Sequence, residues 1–212
     1  MSTKQFTKKQ LERIEDARQG NLFYNIPIPL TPRELPRRLE IKLSQGEIER
    51  VKEYARRVQD LSEGNYQTSF KLKEPYRVRL YASFIGGFGE LSWCKAFDKR
   101  WEARIGNYRG PDIGKRIQIR ARTKLDHELK IKPTDYADHA YFLVIVMPPN
   151  VAYILGWRWG YEREQFPLLN LQTKGQAKRN APAYFIPQDK LFPPQSIPRE
   201  LLDECSGTYR PA

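Results

Sequence analysis

Hydrophobic residues that recur at two different periods predict a chain of mixed helix and strand, α/β or α+β in class. Ile48, Val51, Ala55 and Val58 recur at helical spacing. Ile117, Ile119 and Ala121 alternate with Gln118, Arg120 and Arg122, the period of a strand with one apolar face. Ala140 to Met147 is an unbroken apolar run closed by Pro148-Pro149, the signature of a central strand buried on both faces.

The 212 residues suffice for one sizeable domain with an extension, or for two small domains. Apolar residues make up 40%, among them 12 Tyr, 10 Phe and 4 Trp, enough to build a core and to exclude general disorder. No apolar run is long enough to cross a bilayer, and the first residues lack the apolar stretch of a signal peptide. A soluble, cytoplasmic protein with no membrane partner is expected. Cys94 and Cys205 have no zinc-ligand spacing, and Cys94 falls in an apolar helical pattern, a core position. Thirty-seven Lys and Arg against 25 Asp and Glu give a net charge of +12, which favours a polyanionic partner, nucleic acid first. The basic residues are spread along the chain, so a basic surface has to be assembled by folding.

Taken in order, Phe6 to Arg18 reads as a short charged helix, either a solvated arm or a helix for a partner. Pro27, Pro29, Pro32 and Pro36 then impose extended chain, a linker or a strap. Residues 1–43 are therefore set apart as an extension, 44–194 as the core and 195–212 as a tail. Ser44 followed by Glu47 has capping-box spacing and opens the first helix. Ser62 to Tyr76 is polar and reads as a loop. A second helix is expected from about Val78 to Phe97, with a broad apolar surface. Gly86, Gly87 and Gly89 each weaken that helix by about 1 kcal/mol relative to Ala, which points to close backbone packing there. Glu90 follows them, and a carboxylate in such a segment either pairs with an arginine or binds a metal. Trp101 to Ile105 is a first strand candidate. Glu128 to Lys132 is another, and Val151 to Trp159 is expected to pair antiparallel with Ala140 to Met147, with Trp157 and Trp159 on one face and Arg158 on the other. His127 and His139 lack ligand-like spacing. A further apolar segment, Ala183 to Ile186, and a short helix near Glu200 to Leu202 complete the chain.

The chemistry is concentrated between Arg109 and Thr123. Gly110, Pro111, Asp112 and Gly114 form a turn, and the polar-faced strand follows it. An acid fixed by a turn, oxygen donors on the next strand and a cation beside them are the parts of a hydrolytic metal site. The same residues also fit a turn-capping Asp112 and a solvated sheet face.

Several pieces, in this order and at this spacing, resemble small phage and prophage proteins akin to the PD-(D/E)XK nucleases. They are Gly89-Glu90-Leu91, Lys95-Ala96-Phe97, Pro111-Asp112-Ile113-Gly114, Gln118 to Arg122, Leu129 to Pro133, Asp138, Phe142 to Pro149, Gly156-Trp157 and Ala181 to Pro187. The resemblance spans roughly residues 43–194. It implies a restriction-endonuclease-like core, with a mixed central β-sheet flanked by helices and the acidic turn and polar strand at its middle. It implies Mg²⁺- or Mn²⁺-dependent cleavage of phosphodiesters, in DNA rather than RNA. Carried over, Glu90 is the helical acid, Asp112 the central metal ligand, Gln118 a further ligand where the superfamily has Glu, Asp or sometimes Gln, and Ile119 the donor of a main-chain carbonyl. Arg120 stands where lysine is usual. Arg122, Lys115, Arg116, Lys124 and Lys130 are the expected nucleic-acid contacts. Two departures follow from the residues themselves. Gln118 is neutral, and Arg120 does not deprotonate and so cannot act as a general base. Lys115, Lys124 and Lys130 are the candidates to supply an amine instead.

Three functions compete: a metal-dependent nuclease, a non-catalytic nucleic-acid-binding or phage assembly protein of the same fold, and a structural subunit that docks through its N-terminal segment. A homodimer or a phage protein is the expected protein partner.

Overall fold

The computed structural model describes residues 38–65, 76–105, 110–169 and 182–211. The N-terminal helix and the proline-rich segment expected from the sequence lie outside them.

The first described element is a strand, β1 (Leu39–Lys42). Helix α1 (Gln45–Asn65) follows, opened by the anticipated capping box. The Ser44 amide donates to Glu47 Oε2 at 2.5 Å, and the Glu47 amide donates to Ser44 Oγ at 3.2 Å. The helix runs through Asn65, into the stretch expected to be a loop. Helix α2 (Tyr76–Ala96) is the broad apolar helix, with Phe84, Phe88, Leu91, Trp93 and Cys94 fully buried.

Strand β2 (Ile117–Arg122), β3 (Leu129–Ile131), β4 (Ala140–Met147) and β5 (Val151–Trp159) stand where the hydrophobic patterns put them. Beyond them lie β6 (Leu168–Leu169), β7 (Ala183–Ile186) and a short helix α3 (Arg199–Asp203). One sheet runs in the order β1-β5-β4-β2, and a smaller one in the order β3-β7-β6. The larger sheet is mixed: β2 is parallel to β4, whereas β4–β5 and β5–β1 are antiparallel.

Three layers result. On β4, Ala140, Phe142, Val144 and Val146 face α1 and α2, whereas Tyr141, Leu143 and Ile145 face Leu129, Ile131 and Ile186 of the small sheet. A run apolar on both faces is what a strand between two layers requires. A register shift opposite Leu143 and Val144 changes the parity of β5, so Ile154 and Trp157 both reach the helical side. Trp157 is core, and Trp159 packs edge-on against it at 5.5 Å.

Four expectations are corrected. β1 lies within residues 1–43, the segment set apart as an extension, yet it is an edge strand of the main sheet and leads into buried Leu43. Ile197, Leu201 and Cys205 of the expected tail are buried in the helical-side core. Residues 101–105 form no strand, because Ala103 takes φ +47°, which extended chain does not accommodate. Last, β2 is not at the middle of its sheet. It is an edge, and β4 and β5 hold the centre.

Candidate functional site

The position of β2 determines the geometry of the site. In an extended strand the N–H and C=O of one residue point to the same side, and successive residues alternate. Residues of β2 therefore face either β4 or the open edge. The turn from Gly110 to Arg116 folds back over that edge. The Asp112 and Ile113 amides donate to the Ile117 carbonyl at 3.0 and 3.2 Å, and the Ile117 amide donates to the Ile113 carbonyl at 3.3 Å. One step further, the Ile119 amide donates to Asp112 Oδ2 at 2.6 Å. The main chain of Ile119 thus faces the Asp112 carboxylate, and its carbonyl is directed to that same side.

Glu90 arrives from the opposite direction, on α2. That helix approaches β2 closely because residue 89 is glycine. A Cβ there would lie 2.9 Å from the Ala121 Cβ and 3.2 Å from Ile119 Cγ2. Glu90 accepts one bond, from Trp101 Nε1 to Oε2 at 3.1 Å. No arginine appears among its hydrogen bonds, and pairing with one is the first of the two uses that the sequence leaves open for it. Burial first, and then the neighbouring Asp112 charge, push its carboxyl up to about 8, partly offset by the Trp101 hydrogen bond. Burial also raises Asp112, and Asp135 adds to this. The Ile119 amide and Arg120 act in the opposite sense.

A cleft of about 660 Å³ opens over these groups. Glu90, Asp112, Gln118, Arg120, Arg122 and Lys130 all line it, so six residues singled out in the sequence converge. Lys115, Arg116 and Lys124 do not line it. Lys115 and Lys124 are exposed elsewhere, and Arg116 forms an ion pair with Glu204. Of the three lysines left open as amine donors, Lys130 therefore remains. Burial lowers its ammonium pKa, and the charges of Arg122 and Lys132 add to that.

The polar face of β2 is an interlocked set. Gln118 is nearly buried; its amide nitrogen donates to the Gly110 carbonyl at 3.1 Å and lies 3.4 Å from His139 Nδ1. Gln118 Oε1 accepts from Arg120 Nη1 at 3.3 Å. Arg120 Nη2 reaches Asp135 Oδ2 at 2.9 Å, and its guanidinium lies over the Tyr141 ring. Gln118 thereby ties the acidic turn to Arg120. Its oxygen faces a cation, an arrangement that opposes its expected use as a metal ligand. Arg122 Nη1 caps the Ala121 carbonyl at 2.9 Å, and burial beside Arg120 lowers its pKa.

Sequence reasoning missed Trp101, Tyr54, Lys132, Asp135 and Tyr136. Asp135 sits in the Pro133-Thr134-Asp135 turn, whose composition signals only a turn. Tyr54 lines the cleft and packs edge-to-face at 5.2 Å on Trp101, the donor to Glu90, a contact that no local pattern encodes. Five cations (Arg104, Arg120, Arg122, Lys130, Lys132) and three carboxylates (Glu90, Asp112, Asp135) line the cleft.

Among the described residues, no group of three or more His, Cys, Asp or Glu side chains is placed to hold a metal. The available donors are two carboxylates and a main-chain carbonyl. All are oxygens, the set that suits Mg²⁺ or Mn²⁺. Burial holds both carboxyls above their usual range, and a divalent cation that keeps several waters would offset that cost.

Comparison with protein-family models, with curated proteins and with solved structures finds no match to this chain. No helix among the described residues is long and apolar enough to cross a membrane.

Proposed function

We propose that this cleft hydrolyses phosphodiester bonds in nucleic acid, with DNA as the first candidate. One observation carries the reading: Glu90 and Asp112 line one cleft together with five cations, and the main chain of Ile119 faces the Asp112 carboxylate. Glu90, Asp112 and the Ile119 carbonyl would hold Mg²⁺ or Mn²⁺. When bound, that ion neutralises the acid pair and polarises a phosphate and a water.

The remaining roles belong to the chain. Arg122 and Lys132 hold the phosphate oxygens of the entering strand. Arg120, locked between Gln118 and Asp135, fixes the wall and places positive charge beside the pentavalent phosphorus. Lys130 takes the proton that the attacking water loses as its oxygen bonds to phosphorus. The P–O bond to the leaving nucleoside breaks, and the alkoxide is protonated from solvent. An arginine at position 120 cannot take that proton, and so the role passes to Lys130.

A specific observation favours a second reading, a non-catalytic nucleic-acid-binding or phage assembly component. The charge of Arg120 is already met by Asp135, and Gln118 adds no charge to the acids. Cleavage of linear, supercoiled and single-stranded DNA and of RNA, with Mg²⁺, Mn²⁺ or EDTA, separates the two. Metal-dependent cleavage that falls at least about 100-fold in Asp112→Ala is the expected result. Intact substrate in every lane, together with salt-sensitive binding, would establish the second reading.

A further inference from the structure

Tyr136 stands on the rim of the cleft and is 52% exposed. An exposed tyrosine alone is ordinary, but the backbone that carries this one is fixed from several sides. Its carbonyl accepts from Tyr141 Oη at 3.1 Å. Arg163 grips two carbonyls of the turn that leads into Tyr136, with Nη1 to Asp135 O at 2.9 Å and Nη2 to Pro133 O at 3.1 Å. The Lys132 amide donates to Asp135 Oδ2 at 2.9 Å, so the carboxylate that holds Arg120 also closes the turn. Gly160 lies so near that a Cβ on it would sit 2.1 Å from the Tyr136 carbonyl. One face of the Tyr136 ring is backed by the His139 ring, with centroids 4.7 Å apart and planes 32° apart. With His139 on one side, Tyr136 is still about half exposed at the cleft rim.

A rigid aromatic plane beside a row of cations is what a nucleotide strand requires when its phosphate enters the cleft and its base does not. A base within a duplex has both faces covered by neighbouring pairs. Only an unpaired, frayed or extruded base offers a free face. We infer that Tyr136 is a stacking platform for an unpaired nucleobase, and that the substrate class is single-stranded or locally opened nucleic acid. The inference rests on the nucleic-acid reading of the cleft given above.

The test is fluorescence anisotropy of the full chain with a labelled single-stranded DNA dodecamer and with the same phosphodeoxyribose backbone carrying abasic sites throughout. EDTA is included to prevent turnover. The base-bearing strand is expected to bind about 5- to 100-fold tighter than the abasic one. Tyr136→Ala should bring it down to the abasic level, and Tyr136→Phe should keep the preference. Thermal melting of both variants reports on folding. Equal binding of the two strands by the wild type, or a preference that survives in Tyr136→Ala, would overturn the stacking role and leave the phosphate site standing. Failure of both strands to bind at low salt would overturn the nucleic-acid reading and the stacking role together.

Discussion

Glu90 carries a proton that an ordinary glutamate has released. Its carboxyl in the folded chain titrates near pH 8, whereas in the unfolded chain it titrates in the usual range. Between those values the folded state binds more protons than the unfolded state. Raising the pH through this window therefore lowers stability, and the loss levels off above pH 8. Cleft water tempers the effect, which is expected to be on the order of 1–3 kcal/mol. Glu90→Gln keeps an oxygen for Trp101 and carries no charge. In EDTA its melting temperature should stay flat where that of the wild type falls, and it should be the more stable protein at pH 9. Parallel melting curves for the two proteins from pH 5 to 9 would refute a raised Glu90. Added Mg²⁺ should recover the wild type at pH 9 and leave Glu90→Gln unmoved. The sequence singled out Glu90, Asp112 and Arg120, which line the cleft, because an acid after three glycines, an acid on a glycine-proline turn and a basic strand face break the local pattern. It was silent on Asp135, which looks like any turn aspartate until folding brings it to Arg120.

At the scale of elements, the approach of α2 to β2 sets the distance between the two acids. The glycines of α2 are not equivalent. A Cβ at Gly86 meets nothing within 4 Å, whereas one at Gly89 meets the Ala121 Cβ, which is anchored to the backbone and cannot swing away. Gly86→Ala should therefore stabilise by up to about 1 kcal/mol, the helix-propensity gain. Gly89→Ala should destabilise by about 1–3 kcal/mol through overpacking. It should also weaken divalent-ion binding by displacing Glu90, as read by calorimetry. Equal gains from both substitutions in urea titrations would show that the contact yields at no cost. Helix α2, β4 and β5 were legible because long periodic runs bury one or both faces. β1 was not: a four-residue strand beside prolines resembles a linker, and only its pairing with β5 distinguishes it. Residues 101–105 misled in the opposite sense, since alternation says nothing about the positive φ at Ala103.

Across the whole molecule, the net charge of +12 is not uniformly useful. Within the cleft Arg120 faces Asp135 and Arg104 faces Glu102, and Lys130 is reserved for the proton, which leaves Arg122 and Lys132 for phosphate. Two phosphate contacts to a single strand predict a slope of about −1.4 for log K against log salt. Lys132→Gln should reduce its magnitude by about 0.7. Lys115→Gln and Lys124→Gln, outside the cleft, should leave it within error. A slope that responds equally to all three would mean that binding is spread over the surface. Composition alone predicted a basic partner surface but could not place it, because the cations come from separate elements.

The turn that presents Asp112 also shields the outer edge of β2, through its bonds to Ile117 and Ile119. An uncovered strand edge is a template for another chain. Variants that loosen the turn to admit bulkier substrates would bare those amides and carbonyls to intermolecular pairing. Directed evolution at this site is thus expected to meet aggregation before it exhausts the catalytic options.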